Sequence, residues 1–327
     1  MLDLAAIRAA RERIAGHVHL TPTMSASRIG QRVGVRLSLK CENFQKTGSF
    51  KVRGALNKLS QLGADERKRG VVTVSAGNHA QGVAWAARSA GVQATVVMPA
   101  TASSVKVDAS RGYGAEVVLH GASSIEAFEK ARELERERGF TFVHPFEDEL
   151  VAAGAGTVGL ELLEQTTNLD SVVIAIGGGG LIAGMLVAIK ETNPKIRVYG
   201  VEPKGAASMR RSLDAGHAVR LDSVKTIADG LAAPMAGDLT YDVVRRYADD
   251  VVVIDDAEIE EAMRALLFDA KLLAEGAGAA ATAAIISGAI PLRRGEHVAA
   301  VVSGGNVDAG TLVSVLERRG ERGEGRE

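Results

Sequence analysis

The chain has a single cysteine, Cys41, among its 327 residues. One cysteine can make neither an internal disulfide nor a cysteine-based zinc site, and it suits a reducing, cytoplasmic compartment. Aromatic residues are scarce, 4% of the chain, which argues against stacking platforms for bases or sugars. Neither sign of charge is in excess: the net charge is −1, so the basic balance that drives nucleic-acid binding is missing. No apolar run reaches the ~18 residues that span a bilayer. The opening MLDLAAIRAARERIAG is an amphipathic charged helix without the apolar core of a signal peptide. What remains is an ordinary globular composition, long enough for two domains at about 150 residues each. Glycine alone is in surplus, with 37 residues, about 11% against a usual ~7%. The surplus is clustered, and clustered glycine lets backbone approach something closely.

Short β-branched runs alternate with helical stretches. Strands are expected at 71–75, 94–99, 115–120, 140–145, 171–176, 196–202, 250–255 and 298–304. Helices are expected over about 78–90, 103–111, 123–138, 155–166 and 181–192. The alternation predicts an α/β fold with parallel sheets covered on both faces. The Ala-rich 274–285 reads as a close-packed helix, and the charged 316–327 as a disordered tail.

Four segments could carry chemistry. In KTGSFKVRGALNKL (46–59) a helix starts near Lys51. A lysine at a helix N-terminus meets the positive end of the dipole, which disfavours its ammonium form, as a Schiff-base lysine requires. In VSAGNHAQG (74–82), a strand-to-helix turn of small residues offers backbone N–H groups to an anion. Asn78 is the functional candidate there, and His79 reads better as a packing histidine. In AIGGGGLIAG (175–184), four glycines open a helix as a phosphate cradle, more than a ligand-free turn would need. The same segment fits a dinucleotide fingerprint, with Glu202 about where a ribose ligand belongs. In VVSGGNVD (301–308), Ser303 ends a strand where α/β sheets place ligand contacts, or else caps a helix.

Together these motifs resemble the fold-type II (tryptophan synthase β-like) pyridoxal-phosphate enzymes, and within them the threonine/serine dehydratases in their short biodegradative form. The likeness runs from about Leu20 to Asp308 and includes KCENFQKTGSF (40–50), VVMPATASSVKV (96–107), HPFEDELVAAGAGTVGLEL (144–162), GDLTYDVV (237–244) and KLLAEGAGA (271–279). Val52-Arg53-Gly54-Ala55 after the lysine is the dehydratase and racemase pattern rather than that of threonine or cysteine synthases.

The resemblance implies two open α/β domains, 68–147 inserted between 1–67 and 148–327, with pyridoxal 5'-phosphate between them. It implies that Lys51 carries the cofactor as a Schiff base and that Phe50 packs beside the ring. Asn78 would bond the phenolic oxygen, Gly177, Gly178, Gly179, Gly180 and Leu181 would hold the phosphate, and Ser303 would meet the pyridine nitrogen. Ser75, Ala76, Gly77, Asn78 and His79 would grip a substrate carboxylate. The implied substrates are L-threonine and L-serine, and the implied assembly is a homodimer or homotetramer. Neither nucleic acid nor a membrane is implied as partner.

Serine racemases are near relatives, but they use a serine acid/base where this chain has Ala76, so elimination is favoured over racemisation. A hydroxyaspartate-type dehydratase is a further alternative, and an NAD-dependent oxidoreductase is a distant one that leaves KTGSFK and SGGN unexplained. Some relatives bind a divalent cation through GVEPxxAxD. Here Glu202 and Ala206 are kept but Ser208 replaces the Asp. Hard cations want carboxylate oxygen, so no metal site is expected.

Overall fold

The computed structural model describes residues 2–318. The chain opens with α1 (Leu4–Ile14), whose first turn is capped by the Asp3 carboxylate. Next come β1 (Thr23–Ser25), α2 (Ser27–Val33) and β2 (Arg36–Cys41), then α3 (Lys51–Ser60) and α4 (Ala64–Arg69). The next segment alternates strictly: β3 (Val71–Val74), α5 (Asn78–Ala90), β4 (Ala94–Met98), α6 (Ser104–Gly112), β5 (Glu116–Leu119), α7 (Ser124–Arg138) and β6 (Thr141–Phe142). After it come α8 (Glu149–Gln165), β7 (Ser171–Ala175), α9 (Gly180–Lys190), β8 (Arg197–Pro203), α10 (Ser208–Ala215), α11 (Asp238–Tyr247) and β9 (Asp250–Ile254). The last described elements are α12 (Asp256–Asp269), α13 (Gly276–Ile286), β10 (His297–Val302) and α14 (Ala309–Glu317).

Two sheets result. One has the order β1-β2-β10-β7-β8-β9 and the other β5-β4-β3-β6. Every pairing is parallel except β1 with β2. This is the α/β architecture the alternation predicts. The β-branched strands are buried on both faces, as in β4 and β7, where all five residues are buried. Among the described residues no helix is long and apolar enough to cross a membrane.

Some elements depart from the sequence reading. β2, with Lys40 buried in its run, is a strand the apolar pattern does not show. The strand expected at 140–145 shortens to two residues. α8 starts six residues early, because the Asp148 carboxylate caps the Leu150 and Val151 N–H groups. The helix α14 continues through Glu317, so the expected disordered tail is ordered at its start; the rest of it lies outside the described residues.

The buried helix α8 is what draws the site together. A side chain at Gly154 would sit 2.5 Å from the Arg53 carbonyl of α3, and one at Gly184 of α9 would sit 2.1 Å from the Ala152 carbonyl. Only glycine lets these backbones approach so closely. The C-terminal ends of β3, β7 and β10 run directly into the three glycine-bearing turns, where open parallel sheets receive ligands.

Candidate active site

Lys51 is the first residue of α3, and the segment before it is tied to the turn after β10. The Phe50 N–H donates to Ser303 O at 3.1 Å and the Gly305 N–H to Gly48 O at 2.9 Å. Ser49 bridges Gly304, and Asn306 Nδ2 donates to Thr47 O at 2.7 Å. Thr47 and Gly48 both take positive φ to make the bend. The Lys51 ammonium group donates to Pro145 O at 3.0 Å and lies 5.2 Å from the centre of the Phe50 ring. The residue keeps some exposure to solvent, yet its amine is surrounded by protein. Burial lowers its pKa to about 8, against the opposing pull of Glu275. The lowering expected from the helix dipole is present, with loss of water as its main cause.

Under Lys51, Arg53 enters a buried charge cluster that the sequence reading misses. Arg53 donates to both Glu42 oxygens at 2.8 Å and to the Glu161 oxygens at 2.6 and 2.9 Å. Lys40 Nζ donates to Glu161 at 2.6 Å and to Thr21 O at 2.7 Å. Two cations meet two carboxylates, and all four residues are buried. Burial alone would raise the Glu42 carboxyl, but the Arg53 guanidinium holds it below the usual carboxylate range. The start of α3 is thereby fixed to β2 and α8.

The turn after β3 brings residues 75–79 to the same place. Gly77 precedes α5, and its N–H donates to Ser75 Oγ at 3.0 Å. No side chain caps α5, so its first-turn N–H groups, which have no partner within the helix, face whatever binds there. A side chain at Gly82, one turn on, would crowd the Lys51 backbone at 3.1 Å, so α3 and α5 begin side by side. Asn78 Nδ2 donates to Glu275 Oε1 at 2.5 Å, and Asn78 Oδ1 accepts from Asn306 Nδ2 at 2.7 Å. His79 is buried with Nε2 3.1 Å from Val143 O, and burial with the nearby Lys51 charge lowers its pKa to about 3. It is a neutral packing histidine. Ala76 is partly buried against the apolar core of the smaller sheet.

Two of the four glycines are demanded by packing and the other two fit tightly. A side chain at Gly178 would lie 2.1 Å from the Phe146 ring, and one at Gly180 3.1 Å from Phe146 Cα. One at Gly179 would lie 2.7 Å from Thr240 Oγ1, and Gly179 takes φ 95°. One at Gly177 would lie 3.2 Å from Leu231 Cα. Protein neighbours by themselves therefore exclude side chains at Gly178 and Gly179, and leave Gly177 and Gly180 less constrained. The consequence for a ligand survives, since α9 begins at Gly180 and buried Leu181 with bare N–H groups and no side-chain cap. Phe146 is placed by His144, whose Nδ1 accepts from the Phe146 and Glu147 N–H groups at 3.3 and 2.8 Å. One short loop thus gives its Pro145 carbonyl to Lys51 and its Phe146 ring to the glycine turn.

Ser303 Oγ makes one long bond, 3.3 Å to Ala277 O. Glu202 does not stand free for a ribose. It is buried, and its carboxylate accepts from the Met209 and Arg210 N–H groups at 2.8 and 2.7 Å, capping α10. Among the described residues no three His, Cys, Asp or Glu side chains gather as metal ligands.

A buried amine of lowered pKa lies with two helix starts that carry no side-chain cap, one of them glycine-rich, and bare helix starts suit anionic groups. This equipment defines a class of α/β enzyme that works with a phosphorylated aldehyde cofactor. The cradle of bare N–H groups, the Lys51 amine and the single long bond of Ser303 fit such a cofactor. The chain belongs to the family described as pyridoxal-phosphate dependent enzymes, which matches residues 14–304. It is 44% identical to an L-threonine ammonia-lyase of Thermotoga maritima over 97% of this chain and 79% of that protein. It is 42% identical to L-threonine dehydratase catabolic TdcB of Staphylococcus aureus over 97% of this chain and 92% of that one. A maize serine racemase structure superposes with a TM-score of 0.92 at 41% identity, covering 98% of each chain.

Proposed function

We propose that this chain is a pyridoxal-phosphate dependent threonine ammonia-lyase that converts L-threonine to 2-oxobutyrate and ammonia, and L-serine to pyruvate. The curated relatives at 42–44% identity support threonine as substrate. One observation carries elimination over racemisation: the turn 75–79 that borders Lys51 presents a methyl group at Ala76, which has no proton to give.

Pyridoxal phosphate, when bound, supplies the electron sink that lets the Cα–H bond of an amino acid break. The N–H groups of Gly177–Leu181 would hold its phosphate, Asn78 its phenolic oxygen and Ser303 its ring nitrogen, with Phe50 packing beside them. The N–H groups at Ser75–His79 would hold the substrate carboxylate. As a free amine, Lys51 takes the α-proton as general base. Its lowered pKa, about 8, raises the neutral form to about a tenth at pH 7, several hundredfold above an ordinary lysine. With no acid on the opposite face, the β-hydroxyl departs with a proton as water. The enamine then takes up water and releases ammonia, so the net products are the 2-oxo acid and ammonia.

The division of the chain into 68–147 and the remainder belongs to the same reading, supported by the four strands of the smaller sheet, all between Val71 and Phe142. So does a homodimer or homotetramer, supported by exposed Phe44 and Leu273, brought together by the bond from Asn43 Nδ2 to Leu273 O, and a cytoplasmic setting, in keeping with the single free Cys41.

The test is product analysis. L-threonine should give 2-oxobutyrate, and L-serine should give pyruvate faster than D-serine on chiral chromatography. Ala76→Ser should raise the share of D-serine. D-serine in excess from the unaltered enzyme would establish the racemase reading instead.

A further inference from the structure

In the proposed function Asn78 meets the cofactor's phenolic oxygen, and the role of its neighbours depends on that reading. A primary amide has two N–H donors on nitrogen and lone pairs only on oxygen. Asn78 uses both ends inside the protein: its oxygen accepts from Asn306 Nδ2 and its nitrogen donates to Glu275 Oε1. The reversed amide would set oxygen against the carboxylate and nitrogen against a second amide nitrogen. Both contacts would be repulsive, so one orientation is fixed. It leaves a single N–H of Asn78 uncommitted.

Glu275 is built into this position. It is buried, and its backbone N–H donates to Gly304 O at 3.2 Å. A side chain at Gly304 would lie 2.3 Å from Glu275 Oε1, so glycine in the turn after β10 makes room for the carboxylate. The groups facing it come from four other elements: Asp229 in the short turn 229–231, Lys106 on α6, Lys51 on α3 and Asn78 on α5. Lys106 is itself paired with Asp229. Burial, aided by Asp229, raises the Glu275 pKa to about 7, opposed by the Asn78 bond, Lys106 and Lys51. A carboxylate taken from water to bond a neutral amide is unfavourable for stability alone, which points to a task at the site.

We propose that Glu275, seconded by Asn306, is a positioning residue: it holds the Asn78 amide so that the remaining N–H is delivered to the phenolic oxygen of the cofactor.

The holoenzyme and three variants test this. The readouts are the dissociation constant for pyridoxal phosphate, the visible cofactor band against pH, and kcat apart from KM for threonine. Glu275→Ala removes the acceptor. It should weaken cofactor binding about tenfold, the effect of one lost oriented hydrogen bond, and shift the pH midpoint of the band. Glu275→Gln keeps an acceptor oxygen and should bind within about twofold of the parent. Asn306→Ala, at an exposed position, removes the second hold on the amide together with the bond to Thr47 O, and should weaken binding by an intermediate factor with KM little changed. An unaltered band and affinity in Glu275→Ala would overturn the inference while leaving the cofactor reading intact. So would Glu275→Gln behaving like Glu275→Ala, which would make charge rather than orientation the role. A parent protein that shows no cofactor band would overturn the reading of the site, and this inference with it.

Discussion

Lys51 stands between two buried polar clusters. On one side Arg53 and Lys40 meet Glu42 and Glu161, and each charge has an opposite charge within 2.9 Å. On the other, Glu275 meets the amide of Asn78, and its cationic neighbours Lys106 and Lys51 act from further off. The same loss of water acts on both. In the first cluster the Arg53 guanidinium outweighs it at Glu42, whose carboxyl stays below the usual range, while burial still lowers the Lys40 amine against the pull of Glu161. In the second no cation outweighs it, and Glu275 rises to about 7. A balanced cluster fixes geometry. An unbalanced one is kept where function needs a responsive group.

The sharpest way to break the comparison is to unbalance the first cluster. Arg53→Met would leave Glu42 and Glu161 buried with Lys40 alone. Removing one partner of a buried ion pair costs about 3–5 kcal/mol. Urea unfolding of the variant should show a loss of that size, with weakened cofactor retention as α3 loosens. A loss below about 1 kcal/mol, the size of a surface pair, would mean the cluster is not closed.

The second cluster should instead give a pH signature. The folded protein holds the Glu275 proton up to about 7, whereas the unfolded chain releases it near 4.5. The part of the stability that Glu275 contributes therefore falls as pH rises from about 4.5 to about 7 and levels off above, while the neutral buried His79 and His144 contribute in the opposite direction. The fall amounts to about 3 kcal/mol at 1.36 kcal/mol per pH unit. Unfolding of the cofactor-free protein at pH 5 and pH 7.5 checks this. Between those two pH values the stability change of Glu275→Gln should be more favourable than the parent's by about 2 kcal/mol. Equal changes would show that Glu275 titrates normally and that the two clusters do not differ.

How far the sequence reveals these features depends on the range of the interactions. Lys51, the 75–79 turn, the glycine turn and Ser303 each sit at a strand-to-helix junction or a helix start, so local pattern exposes them. Most strands lie within a residue or two of expectation for the same reason. Lys40, Glu42, Arg53 and Glu161 form one cluster only because β2, α3 and α8 pack together, and Lys40 and Glu161 lie 121 residues apart. No local signal joins them. Glu275 hides in an Ala-Gly run that reads as plain helix packing, and its acid among small residues is the available sign. The glycines show that surplus alone does not give the reason: Phe146 and Thr240 exclude side chains at Gly178 and Gly179, and neither is near in sequence. His79 shows the converse, since the bland reading is the one its contacts support.

The smallest effect expected is an absence of reaction, and it reports on whether the first cluster ever opens. Cys41 follows Lys40 at the end of β2 and is fully buried, with Sγ 3.3 Å from Leu39 O. Burial pushes its thiol up to about 12, Lys40 opposes and Glu42 adds to the rise. Only the thiolate attacks an alkylating reagent. At pH 8 the thiolate is about one part in ten thousand in the folded protein, and in the unfolded chain, with a thiol pKa near ~8.5, it is about a quarter. Iodoacetamide should therefore leave the folded enzyme unmodified and fully active over hours, then label one thiol per chain when urea is added. The labelling rate should follow global unfolding measured on the same sample. Labelling that outruns unfolding while activity persists would show β2 opening locally beside Lys40, Glu42 and Arg53. The cluster would then be a mobile element rather than the fixed side of Lys51.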